Sequence, residues 1–190
     1  FYHVPGLKVV RPSTPRDAKG LLKSAIRDDN PVIFIEAETL YGIKGEVPED
    51  PEFTIPLGVA EVRRTGTDVT VVAYMGMMYR ALEVAEELEK EGISVEVVDP
   101  RTLRPMDIDT IMGSVRKTHR AVVIEAGAGF AGMGSEIVAF ITENAFDDLD
   151  APVERVTGAN APMPYAKNLE QLKTPSKDKI TAAIRNVCYL

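Results

Sequence analysis

The sequence predicts an α/β fold: a parallel sheet with helices on both faces. Three observations predict it. Strand-like and helix-like segments alternate along most of the chain, the pattern of repeated βα units. The best strand, residues 69–74, is a run of mostly branched and apolar residues, as expected of a strand covered on both faces. The segments between strands carry apolar side chains at helical spacing, as at Ala81, Leu82, Ala85 and Leu88.

The elements follow in order. Residues 7–10 form a short apolar strand. Pro12, Ser13, Thr14 and Pro15 end it and supply helix-start chemistry. Residues 15–27 place Ala18, Leu21, Leu22, Ala25 and Ile26 on one helical face. Pro31 disfavours helical geometry at Asn30 and closes that helix. Residues 32–35 read as a buried strand. From residue 40 to residue 56 the periodicity dissolves, with Gly42, Gly45, Pro48, Pro51 and Pro56 set among acidic residues. This divides the chain into a first segment (1–43), a linker (44–56) and a main domain (57–190).

In the main domain, residues 57–63 read as a strand and 65–68 as a turn into the strand at 69–74. A helix at 77–91 stops at Gly92. Residues 94–98 form the next strand, 107–115 a helix after Pro105, and 121–124 a strand. A Gly-rich turn at 127–134 leads to a helix at 135–144. Residues 152–156 form a last strand, and 177–187 an amphipathic helix.

Bulk properties narrow the function. The 190 residues are 45% hydrophobic and 27% charged, with a formal net charge of -7. An acidic chain without a basic run is not built for phosphate backbones, so no nucleic acid is expected as partner, whereas a basic protein suits it. No apolar run approaches the roughly 20 residues of a membrane helix, so no membrane partner is expected. The single cysteine, Cys188, cannot pair internally and reads as a small packed residue in a reducing compartment. The opening Phe1-Tyr2-His3 lacks a Met or a targeting pattern and reads as a cut edge.

Few residues advertise chemistry. The Gly-rich turn stands between a strand and a helix, where free amides can hold an anion. Its glycine order matches neither the dinucleotide fingerprint nor the P-loop, so close strand–helix packing or a subunit contact is the simpler reading. His3 and His119 have no partner at metal-ligand spacing. Glu83, Glu86, Glu87 and Glu89 read as a solvated helix face. The helix end at residues 25–30 presents unpaired carbonyls beside Asp28 and Asn30. Those oxygens suit a hard or alkali cation, although composition alone favours an ordinary capped turn.

A family resemblance adds to this reading. It is carried by Pro5-Gly6-Leu7-Lys8-Val9-Val10, by Ala25-Ile26-Arg27-Asp28-Asp29-Asn30-Pro31 and by Asp99-Pro100-Arg101-Thr102-Leu103-Arg104-Pro105. It continues through Gly132-Met133-Gly134-Ser135-Glu136-Ile137, Leu149-Asp150-Ala151-Pro152 and Pro162-Met163-Pro164-Tyr165-Ala166. These collinear runs resemble the beta subunits of thiamine-diphosphate-dependent 2-oxoacid dehydrogenases. The Pro-Met-Pro-Tyr-Ala run favours the pyruvate dehydrogenase form over the branched-chain and acetoin forms. Residues 126–129 depart from the family's Gly-Trp-Pro.

The resemblance implies the end of a pyrimidine-binding domain at 1–43 and a transketolase C-terminal-like domain at 57–190. It implies an oxidoreductase component feeding on the product of glycolysis, which decarboxylates pyruvate and acetylates a lipoyl group. Its cofactors are thiamine diphosphate and magnesium, held in a heterotetramer with an alpha subunit and a second beta subunit. The family's catalytic glutamate and histidine fall upstream of Phe1, so no catalytic or cofactor-binding residue carries over, and the 190 residues alone are expected to be inactive. A structural potassium site is implied at Ala25, Ile26, Asp28 and Asn30. Asp150 and the Leu190 carboxylate are implied to face the peripheral-subunit-binding domain of the acyltransferase core. The expected location is cytoplasmic in a bacterium, or the mitochondrial matrix or plastid in a eukaryote. The rival reading of a different class is a non-enzymatic interaction module.

Overall fold

The computed structural model describes residues 1–190. The first segment contains β1 (Lys8–Val10), α1 (Pro15–Ile26), β2 (Val32–Phe34) and one 3₁₀ turn at Glu38–Leu40. Helix α1 begins where the sequence supplies a reciprocal cap. The Thr14 hydroxyl accepts the Asp17 N–H at 3.1 Å, the Asp17 carboxylate accepts the Thr14 N–H at 3.2 Å, and Pro15 occupies the first turn. Strands β1 and β2 pair in parallel.

The main domain contains β3 (Glu61–Arg64), β4 (Val69–Ala73), α2 (Gly76–Glu89), β5 (Val95–Asp99), β6 (Thr102–Arg104) and α3 (Ile108–Thr118). It continues with β7 (Ala121–Ala128), α4 (Met133–Ala145), β8 (Glu154–Gly158), α5 (Lys167–Lys173) and α6 (Lys177–Val187). Five strands form one sheet in the order β3-β5-β4-β7-β8. Helices α2 and α6 cover one face, burying Met78, Leu88, Ile180 and Ile184 against Val71, Val97 and Ile124. Helices α3 and α4 cover the other, burying Ile111, Ile137 and Ile141 against Val72, Val98 and Val123. Alternate residues of β4 and β5 face opposite layers, which is why these strands read as unbroken apolar runs.

The structure corrects several expectations. The sheet is mostly but not wholly parallel: β3 runs antiparallel to β5. It arrives directly from the linker with no crossover helix, and such edge strands commonly join parallel sheets. It also starts at Glu61 rather than at residue 57. Strand β7 runs on to Ala128 through a bulge after Glu125, so the Gly-rich turn is shorter than its glycines suggest. Asp107 precedes α3 as its cap, its carboxylate accepting the Thr110 N–H at 3.0 Å. Two elements escaped the periodicity. Strand β6 has only three residues, and α5 buries none of its own.

Strand β6 matters for how the parts join. It leaves the main domain and pairs antiparallel with β1, so the smaller sheet is β2-β1-β6. The linker is tied down as well. Ile55 and Phe53 lie directly on Gly20 of α1, where a Cβ would stand 2.5 Å from Ile55 Cγ1.

A buried ion network closes the joint. The Asp17 carboxylate pairs with Arg63 and with Arg101 at 3.3 Å, and Arg63 reaches Asp99 at 3.0 Å. Arg101 also bonds Glu61 at 2.8 Å and the carbonyls of Val59 and Ala60. Asp17 and Asp99 are wholly buried. Burial pushes the Asp99 carboxyl up to about 6, against the pull of Arg63.

Candidate functional site

In open α/β sheets, ligands favour the crevice where the chain leaves adjacent strands in opposite directions. Here that crevice lies between the carboxyl ends of β4 and β7, since α2 leads from β4 to β5 and α4 leads from β7 to β8 on the other side. Protein groups fill it. Met75 stands at φ 55 after β4, held by its N–H donating to Ser13 Oγ at 2.7 Å. The Arg11 guanidinium lies 5.0 Å from the centre of the Tyr74 ring, and its Nε donates to Met75 Sδ at 2.9 Å.

Glu125 takes the place an anion would occupy. Its buried carboxylate accepts the Gly134 N–H at 3.2 Å, at the start of α4. A Cβ on Gly132 or Gly134 would stand 2.5 or 2.6 Å from Glu125 Oε1, so these two positions must be glycine for the carboxylate to fit. Burial raises the Glu125 pKa, and the Gly134 amide and the Arg155 charge oppose the rise. The turn is therefore a packing device with an internal acceptor, and the phosphate reading of its glycines does not fit. The signal was Glu125 itself, ahead of glycines spaced to receive it.

The helix end at 25–30 has a different character. The Ala25 carbonyl accepts from the Arg27 cap N–H and, at 3.4 Å, from the Asp28 N–H, whereas no backbone N–H outside the helix returns to the Ile26 carbonyl. Asp28 Oδ1 accepts from the Asn30 N–H at 2.9 Å and from Asn30 Nδ2 at 3.0 Å, which leaves the Asn30 side-chain oxygen facing away from Asp28. Asp28 Oδ2 pairs with Lys8. The Lys8 hydrogen bond, with those from Asn30, holds the Asp28 carboxyl at about 2. Ala25, Ile26, Asp28 and Asn30 thus gather in one turn as an oxygen-only donor set, which fits an alkali cation. No cluster of three or more His, Cys, Asp or Glu side chains is arranged to hold a metal elsewhere.

Asp150 lies near the C-terminal end of the chain through Tyr189, the neighbour of Leu190. The Tyr189 hydroxyl donates to the Asp150 carbonyl at 2.7 Å, and the Leu190 N–H donates to the Arg185 carbonyl at 3.0 Å. The Asp150 carboxylate meets Arg120 at 3.2 Å. Beside it lies a groove of about 620 Å³ lined by Val138, Phe146, Leu149, Pro152 and Val153, with Asp147 on its rim. Phe146 is exposed there, a feature no periodicity signalled.

The remaining candidates have structural tasks. His119 caps α3 in a left-handed conformation, its Nδ1 2.8 Å from the Asp148 carbonyl. His3 is exposed, edge-on to Tyr2. Glu83 and Glu87 pair with Lys177 of α6, at 2.7 and 3.4 Å. Burial raises the Cys188 pKa, which suits a packed thiol.

Comparison with known proteins gives this architecture a family. Residues 58–180 match the model of the transketolase C-terminal domain. The chain belongs to the transketolase C-terminal domain family. Residues 1–44 match the transketolase pyrimidine-binding domain. The transketolase-like chain is 50% identical over its whole length to the pyruvate dehydrogenase E1 component subunit beta of Rhizobium meliloti (strain 1021), spanning 41% of that protein. It is 49% identical to the subunit of the same name from Rickettsia felis, spanning 58% of it. It is 50% identical to the mitochondrial subunit beta-2 from Oryza sativa subsp. japonica, spanning 51% of it. The chain thus spans about half the length of the curated relatives it matches. Among solved structures it is similar to a split gene transketolase described as an inactive beta4 tetramer, with a TM-score of 0.79, 28% identity, and coverage of 100% of this chain and 59% of that one.

Proposed function

We propose that this chain is the scaffold-bearing part of the beta subunit of a thiamine-diphosphate-dependent pyruvate dehydrogenase component. The single supporting observation is its half-identity, across all 190 residues, to relatives carrying that name. Residues 1–43 are the end of the pyrimidine-binding domain, 44–56 the linker, and 57–190 the transketolase-like domain. In the assembled enzyme, thiamine diphosphate supplies the electron sink for decarboxylation. The residues present here do not fit that cofactor or its magnesium: no carboxylate cluster stands ready, and Glu125 occupies the α4 amides. Their contribution is to hold a rigid domain against the neighbouring cofactor domain, through β6 and the Asp17–Arg63–Arg101 network.

Two surfaces extend this reading. Ala25, Ile26, Asp28 and Asn30 hold a potassium ion that stiffens the end of α1. Asp150 and the Leu190 carboxylate form a docking edge for the basic peripheral-subunit-binding domain of the acyltransferase core, consistent with the acidic chain. The other partners are the alpha subunit and a second beta subunit in a heterotetramer. The location is the cytoplasm of a bacterium or the matrix of a mitochondrion, in keeping with the relatives. The test is turnover of pyruvate, branched 2-oxoacids and acetoin by the complete protein with its alpha subunit. Pyruvate should be strongly preferred; preference for either other substrate class would overturn the assignment.

A further inference from the structure

The turn at the end of α1 contains a group that the cation reading does not use. Lys8 projects from β1 onto Asp28 Oδ2, with side chains 28% and 15% exposed respectively, so the pair is only partly screened by water. The other Asp28 oxygen is taken by Asn30. Of the charged neighbours in sequence, Arg27 is paired with Glu52 at 2.8 Å, and Asp29 is exposed to screening solvent. The donor set facing a cation is therefore close to neutral: backbone carbonyls, an amide oxygen, and a carboxylate already matched by an ammonium.

A neutral cage distinguishes cations by charge. Divalent ions need ligand carboxylates to repay their dehydration, and their affinity rises with the number of anionic ligands. A large monovalent ion is dehydrated at far lower cost and is satisfied by carbonyl dipoles. We propose that Lys8 is the specificity-determining residue of this turn, restricting it to monovalent cations by neutralising Asp28. The proposal rests on the potassium reading of residues 25–30. Lys8 touches no bound ion; it acts through Asp28 as a positioning residue.

The test compares the complete protein with its Lys8→Met, Lys8→Gln and Lys8→Arg variants. Thermal midpoints are read in chloride salts of choline, sodium, potassium, magnesium and calcium at matched ionic strength. The wild type and Lys8→Arg should be stabilised by potassium over choline and be indifferent to millimolar calcium. Lys8→Met and Lys8→Gln should gain a calcium response, with an apparent calcium affinity raised about tenfold or more, since a unit charge at this range is worth that much even after screening. Manganese, followed by its paramagnetic resonance signal, should bind only the neutral variants. An unchanged order of cations across all four proteins overturns the role of Lys8 while leaving the potassium site standing. A wild type indifferent to potassium, with a potassium response appearing in Lys8→Met, overturns both, because the lysine would then itself be the resident cation.

Discussion

The two sheets of this molecule share a boundary but are stabilised differently. The five-stranded sheet is covered on both faces, and every residue of β4 and β5 is buried. The three-stranded sheet has a half-exposed β2 and a core of only Val10, Leu21 and Ile55. One is held by apolar packing. The other is held by a borrowed strand, a threaded linker and a buried ion network. The difference teaches that the first segment is not a stable unit by itself: its order depends on charged groups at Arg63, Asp99 and Arg101 of the main domain.

This contrast can be broken by substitution. Asp17→Ala should have the largest effect, about 3–5 kcal/mol, because it leaves Arg63 and Arg101 buried with a partner missing. The loss should fall on the first segment. Urea denaturation of the complete protein should show it, together with faster proteolysis within residues 44–56. A core truncation such as Ile184→Ala should weaken the main domain by a comparable amount without exposing the linker. Equal proteolytic sensitivity in the two variants would erase the distinction.

A smaller effect sharpens the picture inside the larger sheet. Glu125→Ala should cost about 1–3 kcal/mol, since the first amides of α4 lose a buried acceptor. Glu125→Gln, which keeps the shape, should cost less. Hydrogen exchange should place the loss at the start of α4.

The smallest effect is one of pH. The folded Asp99 carboxyl titrates at about 6, above its ordinary value, so burial disfavours its ionised form. The stability that follows from this shift is complete below the unfolded pKa and is lost as pH rises through about 6. Asp99→Asn removes the titration. The stability difference should therefore move in favour of the variant between about pH 4 and about pH 7, read by urea midpoints at both. No change in that difference would mean that Asp99 is ionised throughout.

What could be read in the sequence follows the range of the forces. The strand at 69–74, the helix at 177–187 and the start of α1 were legible because each rests on local pattern or on a cap three residues long, Thr14 to Asp17. Strand β6 was not, because three residues have no period and its partner β1 lies far upstream. The direction of β3 was hidden for the same reason. In the candidate sites, the helix end at 25–30 was visible as chemistry, yet Lys8 was not, since its pairing with Asp28 depends on β1 lying beside that turn. Asp150 and Leu190 entered by resemblance alone. The bond from the Tyr189 hydroxyl to the Asp150 carbonyl is a tertiary contact that no local pattern announces.

The role proposed for these residues is to scaffold cofactor chemistry without holding the cofactor. Calorimetric titration of thiamine diphosphate with magnesium into residues 1–190, beside the complete subunit assembled with its alpha partner, tests it most directly. Saturable binding and pyruvate turnover are predicted for the assembly, and neither for residues 1–190. Saturable binding or turnover by residues 1–190 alone would contradict the account.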